Sequence, residues 1–360
     1  MVRNKIIILF FIFNSLFSID VELKVLRKRP FLNFKAESGI IVKKGIFKKK
    51  YKELKITKNS KVKNLQIESK DKNEIIEITS DIPTKYYYGK LIINTIDNTF
   101  SVINKVSEEQ YLESVVGSEM DDSFPLEALK AQSVISRTLL YYQLEKKEKV
   151  SDLSSEFQAY RGGNFSGKKV KQAVNETKGI ILKYKGKLFY PFFHSTCGGI
   201  IFPDNYLTGN TIKTLNTNFK FDYTDGELNC INSPFLDWEK ITHFKDIERI
   251  FGLRKLTKFE VEHLGNNFVK QIILHSPERV LKMSGYEFVR RCWENGLKGL
   301  KSLNFQASVY EKEIHFKGRG FGHGIGMCQW GARGLAEKGY NFTEILKFYF
   351  PGTIIQTNVK

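Results

Sequence analysis

The sequence predicts an α+β fold, and three observations carry that prediction. Between residues 21 and 106 the chain is a series of short β-prone runs, GIIVKKGIFKK, YKELKITK, KNEIIEIT, YYYGKLIINTI and NTFSVINKV, separated by Lys, Asn, Asp and Gly. Residues 107–147 switch to a helical period of apolar positions. The remainder alternates strands with short helices and ends in a glycine-rich run. The expected architecture is a strand-rich N-terminal part, a central helical hairpin, and mixed strands and short helices forming one compact unit. At 360 residues, 41% hydrophobic and 13% aromatic, the chain is long and apolar enough for a sizeable core. It contains no internal repeat and no low-complexity linker.

The N-terminus, MVRNKIIILFFIFNSLFSID, places Arg3 and Lys5 before an apolar run over residues 6–17, with Ser18 as a small residue ahead of cleavage. That run is short for a membrane span and suits a signal peptide, so residues 1–18 are expected to be a leader or N-terminal anchor. No cysteine stands nearby to carry a lipid. The chain is therefore expected to be exported to the cell envelope or periplasm, touching membrane only through this segment. Fifty-seven Lys and Arg against 39 Asp and Glu give a formal net charge of +18. Outside the cytoplasm such a charge meets anionic envelope polymers rather than nucleic acid. Four cysteines, Cys197, Cys230, Cys292 and Cys328, are too few for a disulfide scaffold, and free buried thiols are expected for at least two.

The first helix is announced by Ser107 and Gln110, which have the form of a capping box, and by Leu112, Val115, Val116 and Met120 at helical spacing. Glu119 follows Leu112 by two turns and falls within about 20° of it, on the apolar face. A carboxyl held against apolar groups loses solvation of its charged form, so it can stay protonated near neutral pH and act as a general acid. The competing reading is a surface glutamate paired with Lys or Arg. Ser123 is expected to cap a second helix, with Pro125 in its first turn, running to about Lys147 with Leu126, Leu129, Ile135 and Leu139 inward. Gln132 and Arg137 lie on that helix and can face the same cleft as Glu119.

Beyond the hairpin, KKVKQAVNET reads as a short helix, and Lys185-Gly186 as a hairpin turn between two alternating runs. Residues 207–233 read as a polar surface excursion. A strand then a helix ending near Gly252, a strand pair around 256–276, a helix over 284–295, and strands LNFQASVY and KEIHFKG follow. Gly318, Gly320, Gly322, Gly324 and Gly326 alternate with side-chain-bearing residues. If that run is extended, one face is bare backbone, open to a flat sugar or to a close chain crossing in the core. Its glycine spacing fits neither a phosphate-binding loop nor a dinucleotide fingerprint. Asn341 and Glu344 form a capping box for a last helix stopped by Pro351-Gly352.

YLESVVGSEM, FPLEALKAQSVISRTL, FQAYRG, TKGIILKYKGK ending in FHSTCGG, LKGLKSLNF, and GRGFGHGIGMCQWGARGLAEKGYNFTEILKFYFPGT stand in this order over roughly residues 86–356. Together they resemble the SpoIID/LytB family, named for the stage II sporulation protein D and the amidase enhancer. Beside the leader (1–18) and the strand-rich region (19–85) read from the residues, the resemblance implies a SpoIID/LytB-like catalytic domain over 86–356. It implies a peptidoglycan lytic transglycosylase or a non-catalytic, wall-binding enhancer of an N-acetylmuramoyl-L-alanine amidase, with glycan strands and an amidase as partners. In lytic members the acid is the glutamate of the EM pair, here Glu119 before Met120. Gln132, Arg137, Gln158, Tyr160, His194, Ser195, His323 and Gln329 fall in the matching motifs and are the candidate substrate-binding residues. No cofactor is implied.

The chain departs from the family in three places. Asp121 stands where proline commonly follows EM, and Cys197 and Cys328 stand where serine is frequent. His194 with Cys197, and His323 with Cys328, have ligand chemistry but no clear four-ligand spacing, so no metal is assigned. A Cys-His hydrolase built on Cys197 and His194 lacks an orienting Asn or Asp.

Overall fold

The computed structural model describes residues 18–152, 158–163, 166–203, 219–265 and 267–357. Residues 1–17 of the expected leader and residues 204–218, which include the first part of the polar excursion, lie outside the described residues. Ser18, assigned to the leader from sequence, is the first residue of β1 and pairs with Ser107. No described helix is long and apolar enough to cross a membrane.

The fold is α+β, as its sequence predicts, and the chain divides into two compact units where one was expected. The first comprises residues up to Ser118 together with Lys149–Phe165; the second comprises Glu119–Glu148 and Ser166–Lys360. The boundary read at 85/86 falls inside a strand of the first unit.

That first unit is one sheet of β1 (Ser18–Glu22), β2 (Phe31–Lys44), β3 (Phe47–Thr57), β4 (Leu65–Ser69), β5 (Ile76–Thr79), β6 (Lys85–Tyr87), β7 (Lys90–Ile96), β8 (Thr99–Ser107) and β9 (Val150–Ser151). The order is β6-β5-β2-β4-β7-β8-β1-β9, with β3 paired to β2. β2 serves two neighbours because its register shifts between Lys35 and Ile40: the earlier half pairs β5 and the later half β4. Gly39 sits in that irregularity at φ +92°, a backbone conformation L side chains rarely adopt. Alternation along β8 buries Phe100, Val102, Asn104 and Val106, the period-2 pattern of a strand with one face in the core. The lysine run Lys48 to Lys50 is solvated along β3, as expected of an exposed strand.

α1 (Glu108–Glu119) follows β8 directly. The Ser107 hydroxyl accepts the Gln110 N–H at 3.2 Å and Tyr111, Leu112, Val115 and Val116 are buried, so the capping signal and the apolar stripe both fold as read.

In the second unit α2 (Leu126–Glu145) is a core helix, buried on nearly every side from Ala128 to Leu140. It packs against α3 (Lys168–Glu176), β10 (Ile180–Tyr184), α6 (Gln329–Glu337) and α7 (Phe342–Tyr349). Its start differs from expectation: Pro125 occupies the cap position with no side-chain cap bond, and the Ser123 N–H instead donates to Asp121 Oδ1 at 2.8 Å. Asp121 thereby closes an Asx-type turn. Lys185-Gly186 is the expected two-residue turn, both residues at positive φ between the paired Tyr184 and Lys187.

Next come β11 (Phe193–His194), β12 (Ile200–Ile201), β13 (Lys220–Phe221), β14 (Tyr223–Thr224) and β15 (Glu227–Leu228), all short. β16 (Asp237–His243) leads into α4 (Phe244–Phe251), which Gly252 ends in the left-handed conformation. β17 (Lys258–His263), β18 (Val269–His275) and β19 (Val280–Ser284) form a meander, and Ser284 caps α5 (Gly285–Glu294) by accepting from Glu287 N–H. β20 (Phe305–Tyr310) and β21 (Glu313–Arg319) complete a sheet with β16. Phe251, Phe259, Phe288, Phe305 and Phe316 are the aromatic centre of this core. β22 (Met327–Cys328) precedes α6, α7 carries the full Asn341–Glu344 capping box, and β23 (Thr353–Thr357) pairs with β10.

Candidate functional site

Glu119 is the last residue of α1 and the first of the second unit, half-buried between the fully buried Val116 and Met120. The loop after it is held at several points. Asp122 accepts the N–H groups of Lys169 and Val170 at 3.2 and 3.0 Å, an anionic cap on the first turn of α3. Phe124 meets Trp330 of α6 edge-on, ring centroids 5.4 Å apart. Hydrogen bonds with Ser123 hold the Asp121 carboxyl below its usual range.

The glycine run is a looped segment, and of the two readings open from sequence it takes the close crossing. Gly320, Gly322, Gly324 and Gly326 all have positive φ, and only Gly318 lies in a strand, β21. Their bare faces are occupied by the protein itself. A Cβ on Gly318 would lie 2.2 Å from the Trp238 ring, one on Gly322 2.9 Å from His194 Cβ, and one on Gly326 1.9 Å from Phe192 O. The glycines therefore serve a close chain crossing rather than sugar stacking. β11 pairs parallel with β22, and Thr196 and Phe202 bridge to Phe321 and Ile325.

This crossing sets the histidines. His194 Nδ1 donates to Ile325 O at 2.9 Å, which fixes the neutral tautomer and leaves Nε2 as a buried lone pair without a partner. His323 Nδ1 accepts the Ile325 N–H at 3.1 Å, and the two rings lie 5.5 Å apart. Burial pushes His194 down to about 3 and His323 down to about 4, so both are neutral at physiological pH. Ser195 is half-buried beside them, and its carbonyl accepts the Trp330 N–H at 3.1 Å. Gln329 reaches Gln132 of α2 at 3.5 Å, both buried.

The remaining sequence candidates have framework roles. Arg137 is wholly buried, donating to the carbonyls of Thr177, Ile180 and Val174 where α3 ends. Gln158 and Tyr160 belong to the first unit: Gln158 donates to Tyr111 OH, and Tyr160 donates to Asn104 at 2.5 Å while stacking on Tyr111. An open cavity of about 490 Å³ lies along β16 and β21, lined by Trp238, Asn267, Asn304, Gln306 and Arg319 among others, and contains none of the predicted residues.

The cysteines pair differently from their sequence neighbours. Cys197 and Cys328 converge not with His194 and His323 but with Cys230 and Asp222. All four cysteines are free and buried. Asp222 and Cys230 escaped sequence reading because nothing in their spacing ties them to Cys197 or Cys328.

A profile described as Stage II sporulation protein matches residues 96–184, a span that includes Glu119 and all of α2. An uncharacterized protein of Brachyspira hyodysenteriae is 29% identical over 75% of this chain and 72% of its own. The stage II sporulation protein D of Bacillus amyloliquefaciens is 29% identical over 70% of this chain and 75% of its own. The chain is similar to the SpoIID/LytB family over these residues. The amidase enhancer of Bacillus subtilis is 25% identical over 68% of this chain but only 40% of its own length.

Proposed function

We propose that the chain remodels the cell wall by lytic cleavage of peptidoglycan glycan strands, with Glu119 as the catalytic residue. The observation that carries this reading is the position of Glu119, a half-buried residue at the end of α1 next to fully buried Met120. In its protonated form it gives its proton to the glycosidic oxygen between N-acetylmuramic acid and N-acetylglucosamine as the C1–O bond breaks. As carboxylate it then takes the proton of the muramic 6-hydroxyl while O6 bonds to C1, closing an anhydro ring without consuming water. The acid is regenerated by the second step. Ser195 and His323, both half-buried, are the residues of this group open to a glycan hydroxyl, while His194, Gln132 and Gln329 are buried and support them. Export through the residue 1–18 segment, and the net charge of +18, suit a protein that meets an anionic wall.

The similarity to an amidase enhancer favours a second reading, a non-catalytic partner of a wall amidase. Digestion of purified glycan strands, with and without stem peptides, separates the two by mass spectrometry. Anhydro-muramic ends from the chain alone support cleavage. Products that appear only when an amidase is added, cut at the amide, overturn it.

A further inference from the structure

We propose that Cys197, Cys230, Cys328 and Asp222 bind one Zn²⁺ ion in a closed structural site, independent of the chemistry at Glu119. Each offers one ligand atom, and the four atoms all lie within 4.8 Å of one another. Ligands at zinc bond lengths around a tetrahedral centre stand ~3.3–3.8 Å apart. Here Cys197 Sγ is 3.6 Å from Cys230 Sγ and 3.0 Å from Asp222 Oδ2.

The surroundings are built for bound anions. Cys197 Sγ accepts the Gly199 N–H at 3.3 Å, and Cys328 Sγ accepts those of Cys197 and Gly331 at 3.3 and 3.2 Å. Asn229 and Tyr349 both donate to Asp222 Oδ1, at 3.2 and 2.9 Å, which orients Oδ2 toward the thiols. Gly331 keeps the space clear, since a Cβ there would stand 2.4 Å from Asp222 Oδ2. None of the four ligand residues is more than 2% exposed.

Three sulfur donors select a soft or borderline divalent ion over Mg²⁺ or Ca²⁺, and four protein ligands leave no open position for a reacting water. As each S–Zn bond forms, the thiol proton leaves to solvent. A disulfide between Cys197 and Cys230 would leave the Cys328 thiol and the Asp222 carboxylate buried beside it without that ion. The ion ties together four segments far apart in sequence, around residues 197, 222, 230 and 328.

The test is the metal content of the full chain purified under reducing conditions. Elemental mass spectrometry is expected to find one zinc per chain, released when a mercurial titrates the thiols. A zinc chelator is expected to lower the melting temperature and added Zn²⁺ to restore it. Co²⁺ exchanged into the site is expected to show thiolate charge-transfer absorption. Cys230→Ser and Asp222→Asn are expected to lose or weaken binding, while Cys292→Ser, buried apart in α5, keeps full occupancy. A wild-type chain that holds no zinc and gives no cobalt–thiolate band overturns the site even if every variant fails to fold. So does an intact mass showing a Cys197–Cys230 disulfide. These readouts need no glycan substrate, so they stand or fall apart from the lytic reading.

Discussion

The backbone N–H of Cys197 donates to the Sγ of Cys328 at 3.3 Å, across 131 positions of sequence. The two places where this chain carries cysteine in motifs that often carry serine are therefore one place in space. The crossing that joins them also fixes the tautomers of His194 and His323, and it sets what can be expected of variants.

Glu119→Gln keeps the size and hydrogen-bonding shape of the side chain but cannot transfer a proton. Release of anhydro-muramic products is expected to fall at least about 10²-fold, the range for losing a positioned general acid, with the melting temperature unchanged. Cleavage persisting near the wild-type rate would remove Glu119 from the mechanism.

His194 titrates near 3 in the folded chain and near 6.5 when unfolded. Between those values the unfolded state binds more protons, so stability falls as pH is lowered through the window. On the order of 2 kcal/mol is expected to be lost between pH 6.5 and 5 through this one side chain. His323, held at about 4, acts in the same direction. Urea titrations across this range should show a shallower pH slope in His194→Gln; an unchanged slope would mean that His194 is not the buried neutral group described.

Arg137→Leu leaves the carbonyls of Thr177, Ile180 and Val174 without their buried donor. A loss on the order of 3 kcal/mol is expected in denaturant unfolding. Lysine is expected to recover only part of it, because one ammonium lacks the planar fork that reaches several carbonyls at once. A leucine variant as stable as wild type would show the three contacts to be dispensable.

Gly324→Ala combines strain with collision, since φ is +76° and the new Cβ would lie 2.4 Å from the Phe202 ring. A loss of about 2 kcal/mol or more is expected. Gly45→Ala is the comparison: φ is +58° but nothing lies within 4 Å, so only the roughly 1 kcal/mol conformational part should appear. Equal losses in the two variants would show that close packing is not what the glycine run provides.

The sequence by itself determined the local structure wherever the code is local. Ser107 and Gln110 opened α1, Ser284 capped α5, Gly252 closed α4, Asn341 and Glu344 boxed α7, and Lys185-Gly186 turned a hairpin. Each of these is set by residues within a few positions of one another, so propensity and hydrogen bonding along the chain suffice. The α+β class and the family motifs were legible for the same reason. The glycine alternation left two readings open because period 2 is shared by a strand and by a loop whose every second residue needs φ above zero, and only the neighbours at Trp238, His194, Phe202 and Phe192 distinguish them. The return of Val150–Ser151 to the first sheet, the burial of Arg137 under the end of α3, and the meeting of Asp222 and Cys230 with Cys197 and Cys328 were decided by tertiary structure alone. Those contacts join segments tens to more than a hundred residues apart, and no spacing in one sequence records which distant residues close packing will bring together.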